Sequence, residues 1–179
     1  MKNQDKNILF DENSQVKIFK KKDFIQRQGD TSVFAYYIKS GLLRSYTIDE
    51  KGKEHIFMFA PEGWLIADID AQAFKQPTML FIDCIEDSEV VVIERSEFLN
   101  SSLTIEQLKE TAHLMTRRAA ILQRRVIMLM SATAKERYNN FLETYPELPN
   151  RVPQRLIASY LGITPEALSK IRGEIARTK

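Results

Sequence analysis

Four polar side chains near the end of the chain have the types and spacing that reading a nucleic acid requires. The four are Glu166, Ser169, Lys170 and Arg172, and the apolar residues Ala167, Leu168 and Ile171 lie between them. Lysine and arginine donate hydrogen bonds to guanine or to phosphate, and a glutamate accepts one from the amino group of cytosine. We therefore expect a helix through this segment to enter the major groove of double-stranded DNA.

The segment before this helix predicts a tight turn between two short helices. Gly162 is placed to end the first helix in the left-handed conformation, and the small Ala158 lets the second helix approach closely. Thr164 is suited to cap the second helix, with Pro165 at its first position. This pattern predicts a helix-turn-helix, in which neighbouring residues contact phosphates and set the register. The predicted DNA-binding residues are Gln154, Arg155, Thr164, Pro165, Glu166, Ser169, Lys170 and Arg172.

Charge is unevenly distributed along the 179 residues. Residues 1–101 carry 13 Lys and Arg against 17 Asp and Glu, whereas residues 102–179 carry 13 against 7. A basic second half is suited to bind a polyanion, which agrees with DNA as the partner. The alternative is a structural helical hairpin with solvated charges, which would belong to a ligand-binding sensor or interaction module without DNA binding.

A heptad pattern precedes this segment and predicts a long helix that pairs with a second copy of itself. Its apolar residues follow one another at alternating steps of three and four. A helix that covers the β-region is the alternative, but such a helix usually carries a wider apolar face. The predicted dimer seam consists of Ile105, Leu108, Ala112, Met115, Ala119, Leu122, Val126 and Leu129. A shorter helix follows, where the spacing of Thr133 and Glu136 predicts a capping box.

The first hundred residues predict a β-structure. Short apolar runs separated by glycine-containing turns are typical of a small barrel or sandwich. The predicted strands lie at residues 34–38, 42–48, 54–59, 80–85 and 89–93. Residues 66–78, between two of these strands, predict an irregular or briefly helical stretch.

These segments together resemble the Crp/Fnr superfamily of bacterial regulators over about residues 15–175. Residues 28–30, 36–44, 49–54, 86–90 and 157–166 carry the resemblance, and the last stretch is closest to the Bacteroidetes-type members. The resemblance implies an α+β fold. Its parts are a jelly-roll-like, double-stranded β-roll of the cyclic-nucleotide-binding type over 1–101, a dimerisation helix over 102–130 and a helix-turn-helix domain over 131–179. It also implies a homodimer, a near-palindromic operator, a small-molecule effector of unknown identity and RNA polymerase as a further partner.

The predicted effector region departs from the family pattern. Relatives that bind cyclic AMP hold the ribose with a Gly-Glu pair and the phosphate with an Arg-Ser pair. Here Ala67 and Asp68 stand at the first place, and Lys75 is the only cation between residues 63 and 94. A flexible lysine is a poor substitute for a bidentate arginine, so we expect no cyclic-nucleotide binding and no cofactor. An effector pocket for another ligand would involve Trp64, Ala67, Asp68, Lys75 and Thr78.

The end of the chain departs from the family pattern as well. Seven residues follow Arg172, so a β-wing after the second helix of the helix-turn-helix is not evident. Because such a wing often touches the DNA backbone, we expect a lower affinity for DNA than in relatives that have one.

The remaining reactive residues do not form a recognisable catalytic or metal-binding set. Cys84 is the only cysteine, and His55 and His113 are the only histidines, too few for a cupin-like metal centre or an intramolecular iron–sulfur cluster. The sequence has no nucleophile elbow, P-loop or dinucleotide-binding motif. We therefore expect neither enzymatic activity nor a metal. With no secretory signal and no apolar run near about 18 residues, we expect a cytoplasmic protein without a membrane partner.

Overall fold

The computed structural model describes residues 15–31, 34–93 and 104–178, which form two compact units. The first unit comprises the described residues up to 48 and those from 57 to 115. The second comprises residues 49–56 and the described residues from 116 onward. The second unit therefore combines a short β-hairpin tip with the C-terminal helices.

The first unit is built on two antiparallel sheets. The strands are β1 Val16–Phe19, β2 Phe24–Gln26, β3 Ala35–Ser40, β4 Leu42–Ile48, β5 Glu54–Pro61, β6 Leu65–Ala67, β7 Phe81–Cys84 and β8 Ser88–Ile93. One sheet has the strand order β1-β8-β3-β6, and the other has the order β2-β7-β4-β5. A short helix, α1 Ile69–Phe74, lies between β6 and β7 along the chain.

The core of this unit lies between the two sheets. Successive side chains of a strand point to opposite faces, so each strand contributes alternate residues to the core. The buried cluster takes residues from both sheets: Tyr36, Ile38, Ile66 and Val90 from one, and Leu43, Ala60, Ile82 and Cys84 from the other. This architecture confirms the predicted β-roll followed by helices. The sequence analysis missed β1, β2 and β6, which are only three or four residues long.

The second half of the chain is helical, as predicted. The helices are α2 Ile105–Ser131, α3 Ala134–Thr144, α4 Leu148–Arg151, α5 Gln154–Leu161 and α6 Pro165–Thr178. The capping box before α3 is confirmed, because the Glu136 amide donates to Thr133 Oγ1 at 3.3 Å and the Thr133 amide donates to Glu136 Oε2 at 2.7 Å. The division of the chain at residues 101 and 130 stays a prediction, since residues 94–103 lie outside the described part.

Candidate nucleic-acid interface and effector region

The turn between α5 and α6 has the geometry that its residue types predict. Gly162 ends α5 with a φ of 66°, in the left-handed region. The Ile163 amide donates to the Ala158 carbonyl at 3.0 Å, and the Gly162 amide donates to the Ser159 carbonyl at 3.1 Å. These two bonds satisfy carbonyl groups that the end of a helix would otherwise leave free.

The start of α6 is capped by side chains. Thr164 Oγ1 accepts a hydrogen bond from the Ala167 amide at 3.2 Å. The amide of Glu166 and the Thr164 hydroxyl hold the Glu166 carboxylate, and these hydrogen bonds lower the pKa of Glu166 below its usual value. An ionised carboxylate at a helix N-terminus also interacts favourably with the helix dipole. Glu166 therefore has a structural role in this cap, beside any role in contacting a base.

A common apolar core fixes the direction of α6. Leu168 and Ile171 of α6 are buried together with Ile157 and Leu161 of α5. Aromatic residues of α3 extend this core, since the ring of Phe141 lies 5.6 Å from that of Tyr160. A helix packed along one face presents its other face in a defined orientation.

The predicted DNA-binding residues lie on the surface of this unit. Glu166, Ser169 and Lys170 are spaced by three and four along α6, so they share one exposed face. Arg172 is half-buried. Exposed positions are also occupied by the other predicted contacts, which are Gln154, Arg155, Thr164 and Pro165. Their contacts with DNA remain predictions.

Arg125 connects α2 with α5 and with the hairpin tip inside the second unit. Its Nη2 donates to the Ile56 carbonyl at 3.2 Å and to the Tyr160 carbonyl at 3.1 Å. Its guanidinium carbon lies 3.7 Å from the centre of the Tyr160 ring, a cation–π contact. Sequence reasoning assigned no role to Arg125, because its partner Ile56 lies 69 residues away along the chain.

Ser159 attaches the same hairpin tip to α5. Its hydroxyl donates to the Glu54 carbonyl at 2.7 Å and accepts from the Ile56 amide at 3.1 Å. Across the hairpin, the Asp49 carboxylate accepts from the Lys53 amide at 3.0 Å and lies 2.8 Å from His55 Nε2. The hydrogen bond with His55 is the main cause of the lowered pKa of Asp49. Hydrogen bonds within the hairpin tip therefore stabilise it, and the Ser159 hydroxyl binds it to α5 both as a donor and as an acceptor.

The predicted dimer seam lies along α2, and its apolar side chains are largely accessible. The exposed fraction is 74% for Ile105 and 54% for Val126, while Leu122 is half-buried. Ile121, Ile127 and Met130 lie beside the seam and are exposed too. The accessible apolar surface of α2 is therefore wider than the narrow stripe that the heptad pattern predicts.

The predicted effector residues form an internal network around Asp68. The Asp68 carboxylate caps α1 by accepting from the Ala71 amide at 3.1 Å, and it also accepts from the Thr78 hydroxyl. Thr78 Oγ1 in turn accepts from Gln26 Nε2 at 2.9 Å. Lys75 is exposed and ends α1 in the left-handed conformation, while Trp64 and Ala67 are half-buried.

This network does not fit a cyclic nucleotide. Each oxygen of the buried Asp68 already accepts from a protein donor, which leaves this carboxylate less acceptor capacity for a ribose hydroxyl. Between residues 63 and 93, all of them described, the one basic residue is the exposed Lys75. This stretch contains no arginine that could bind a phosphate bidentately.

The thiol of Cys84 and possible metal ligands are a separate matter from these two regions. Cys84 is buried, and burial raises the pKa of its thiol to about 11, which makes it a poor nucleophile. Within residues 15–31, 34–93 and 104–178, no group of three or more His, Cys, Asp or Glu is placed to hold a metal ion. No helix of this described part is long and apolar enough to cross a membrane.

Comparison with known proteins shows what this chain is similar to. Residues 16–102 match the model of the cyclic nucleotide-binding domain. Electron transport regulator A from Shewanella oneidensis is 28% identical, with 90% of this chain aligned to 69% of that protein. The fumarate and nitrate reduction regulatory protein from Vibrio cholerae is 27% identical, with 86% of this chain aligned to 65% of that protein. The chain is therefore similar to a cyclic nucleotide-binding domain over residues 16–102 and to bacterial regulatory proteins over most of its length.

Solved structures agree with the fold described above. FixK2 from Bradyrhizobium japonicum superposes with a TM-score of 0.78 at 18% identity, covering 92% of this chain and 85% of that chain. A CRP/FNR-family transcriptional regulator from Thermus thermophilus gives a TM-score of 0.70 at 22% identity, covering 92% of this chain and 87% of that chain. The chain spans about two thirds of the length of its curated relatives, 69% and 65% for the two named above.

Proposed function

We propose that this protein is a homodimeric transcription regulator of the Crp/Fnr family that reads a near-palindromic operator with α6. One observation carries the proposal: α6 is buried along Leu168 and Ile171 and presents Glu166, Ser169 and Lys170 together on its exposed face. A recognition helix needs such a fixed orientation, because base contacts depend on donors and acceptors meeting the edges of the base pairs.

The accessible apolar surface of α2 supports pairing with a second copy. An apolar helix surface is normally buried against another element, and a heptad pattern favours a copy of the same helix. A two-fold axis along α2 would place two copies of α6 in successive major grooves, about 10 bp apart. In this proposal a small ligand of the β-roll shifts the dimer between arrangements with different α6 spacing. RNA polymerase is the further partner through which an activator would act.

The direct test is selection of binding sites from random duplex DNA by the purified protein without added ligand. We expect enrichment of an inverted repeat with half-sites about one helical turn apart. Selection of a single half-site would contradict the dimer but not DNA binding. If no motif is enriched even with a metabolite extract added, the sensor without DNA binding becomes the better hypothesis.

Removing two of the cations of α6 should weaken operator binding. In Lys170→Ala/Arg172→Ala, we expect affinity to fall about tenfold to hundredfold for each of the two side chains removed, because a base or phosphate contact typically contributes about 1–3 kcal/mol. Fluorescence anisotropy with the selected operator measures the change. Lys39→Ala removes an exposed cation from the end of β3 and is the matched control, with affinity unchanged. Equal affinities of the double variant and the control would refute these residue assignments.

A charge in the centre of the seam should separate the copies. Leu122→Lys places an ammonium in an apolar interface, where an unpaired charge is costly, so we expect monomers in analytical ultracentrifugation. Gln123→Lys adds the same charge to an exposed neighbouring position outside the seam and should leave the dimer intact. A persistent Leu122→Lys dimer would show that another surface joins the copies.

A further inference from the structure

The first unit contains a cavity of about 450 Å³ that none of the predicted effector residues lines. It lies among β1, β2, β3 and β8 and the turn after β2. A cavity of this volume falls in the range of small-molecule sites, which is about 300–1,000 Å³. The lining residues are Lys17, Phe19, Ile25, Asp30, Thr31, Phe34, Tyr36 and Val92.

Tyr36 supplies a buried polar group to this cavity that the protein itself does not satisfy well. The side chain is only 2% exposed, yet among the described residues its hydroxyl makes a single long contact, at 3.5 Å, with the Ile25 carbonyl. Hydrogen bonds between oxygens are normally about 2.5–3.0 Å long, so this contact satisfies the hydroxyl poorly. Burial raises the pKa of Tyr36 to about 12, and the charge of Asp30 adds to the shift. The phenol is therefore neutral at physiological pH and can donate a hydrogen bond to a ligand.

The charges that line the cavity balance each other. Lys17 makes no ion pair among the described residues. Asp30 uses Oδ2 to accept from the Arg27 amide at 2.8 Å, whereas Oδ1 has no partner in the described part of the chain. Lys17 and Asp30 are both exposed and opposite in sign, so the lining has no net charge that would compensate a charged ligand for its lost hydration, and an uncharged ligand is favoured.

The walls and the polar groups together define a ligand class. Phe19, Ile25, Phe34 and Val92 provide an apolar lining that suits a flat ring. The Tyr36 hydroxyl offers a donor, and Asp30 Oδ1 offers an acceptor. A primary carboxamide carries the complementary acceptor and donor on neighbouring atoms.

We propose that this cavity binds an uncharged aromatic carboxamide of one or two rings, whose carbonyl accepts from Tyr36 and whose amide nitrogen donates to Asp30. The inference rests on the proposed function, in which a small ligand of the β-roll controls the protein. It assigns that ligand to a site other than the Asp68 region.

Hydrogen bonds connect this site with the Asp68 network inside the first unit. The Gly29 amide donates to the Thr78 carbonyl at 2.9 Å, and the Thr78 amide donates to the Asp30 carbonyl at 3.0 Å. Thr78 then donates through its hydroxyl to Asp68, the cap of α1. A ligand that binds Asp30 would therefore affect, through Thr78, the Asp68 carboxylate that caps α1.

Calorimetry on the full chain without DNA tests the proposal. The probes are naphthalene-2-carboxamide, the anionic naphthalene-2-carboxylate and the cationic 2-naphthylmethylamine, which share the ring system and differ in charge. We expect the carboxamide to bind at least about tenfold more tightly than either charged probe. No heat from the carboxamide, or tighter binding of a charged probe, would overturn the assignment.

Two variants locate the binding. Tyr36→Phe removes only the hydroxyl and should weaken carboxamide binding about threefold to tenfold, the usual range for one hydrogen bond. Val92→Phe fills the cavity and should abolish binding. Unchanged affinity in Tyr36→Phe would overturn the proposed contact even if Val92→Phe failed to fold. Because no DNA is present, failure here is distinguishable from failure of operator binding, which site selection measures separately.

Discussion

At the scale of single residues, two serines illustrate the difference between a structural role and a role in DNA recognition. Ser159 makes two hydrogen bonds to the backbone of the hairpin tip, whereas Ser169 lies exposed on α6. In Ser159→Ala, the Glu54 carbonyl and the Ile56 amide lose their partner. Leaving such groups unsatisfied costs about 1–3 kcal/mol each when they are buried, and less here because they are only partly buried. We expect a loss of about 1–2 kcal/mol in the free energy of unfolding, measured by urea denaturation.

The matched control is Ser169→Ala, which should leave the free energy of unfolding unchanged and reduce operator affinity. Stability equal to wild type in Ser159→Ala would mean that the hairpin tip is not anchored through this hydroxyl. A loss of stability in Ser169→Ala would mean that this face of α6 has a packing role.

At the scale of secondary-structure elements, the turn at Gly162 determines how α5 leads into α6. A β-carbon at Gly162 would lie 3.5 Å from Arg137 Nη1 and 3.8 Å from Leu129 Cδ2, which are ordinary contacts. The cost of Gly162→Ala therefore comes from the left-handed backbone, about 1–2 kcal/mol. Gly162→Asn should cost less, because asparagine tolerates this conformation better. Thermal denaturation measures both, and equal stabilities of the two variants would contradict this reasoning.

At the scale of the whole molecule, the chain resembles a cyclic nucleotide-binding domain, but we expect it not to bind a cyclic nucleotide. The cyclic nucleotide-binding domain matches residues 16–102. In this chain, however, the Asp68 carboxylate accepts hydrogen bonds from the Ala71 amide and the Thr78 hydroxyl. We expect no heat on titration with cyclic AMP at micromolar concentration, and no effect of cyclic AMP on operator binding. A clear exothermic titration of the wild-type protein would refute this interpretation.

Much of the helix-turn-helix could be predicted from the sequence because its determinants are local. Gly162 is needed where the backbone turns left-handed, Thr164 where α6 needs an acceptor, and Thr133 with Glu136 where α3 begins. The heptad spacing likewise predicted one long helix, which α2 confirms. Each of these signals depends on residues within a few positions of each other, where helix geometry alone relates spacing to direction.

Only the tertiary structure decided the contacts between distant segments. The bonds of Ser159 and Arg125 to the hairpin tip join residues 69 to 105 positions apart, and no local pattern marks them. The same holds for Gln26, which completes the Asp68 network from a strand of three residues. By itself, the sequence determined the fold class and the helix that could read DNA, because these follow from periodicity and capping. Which carboxylates and hydroxyls remain available to a ligand depended on how the sheets pack, since burial and pairing arise only when distant strands meet.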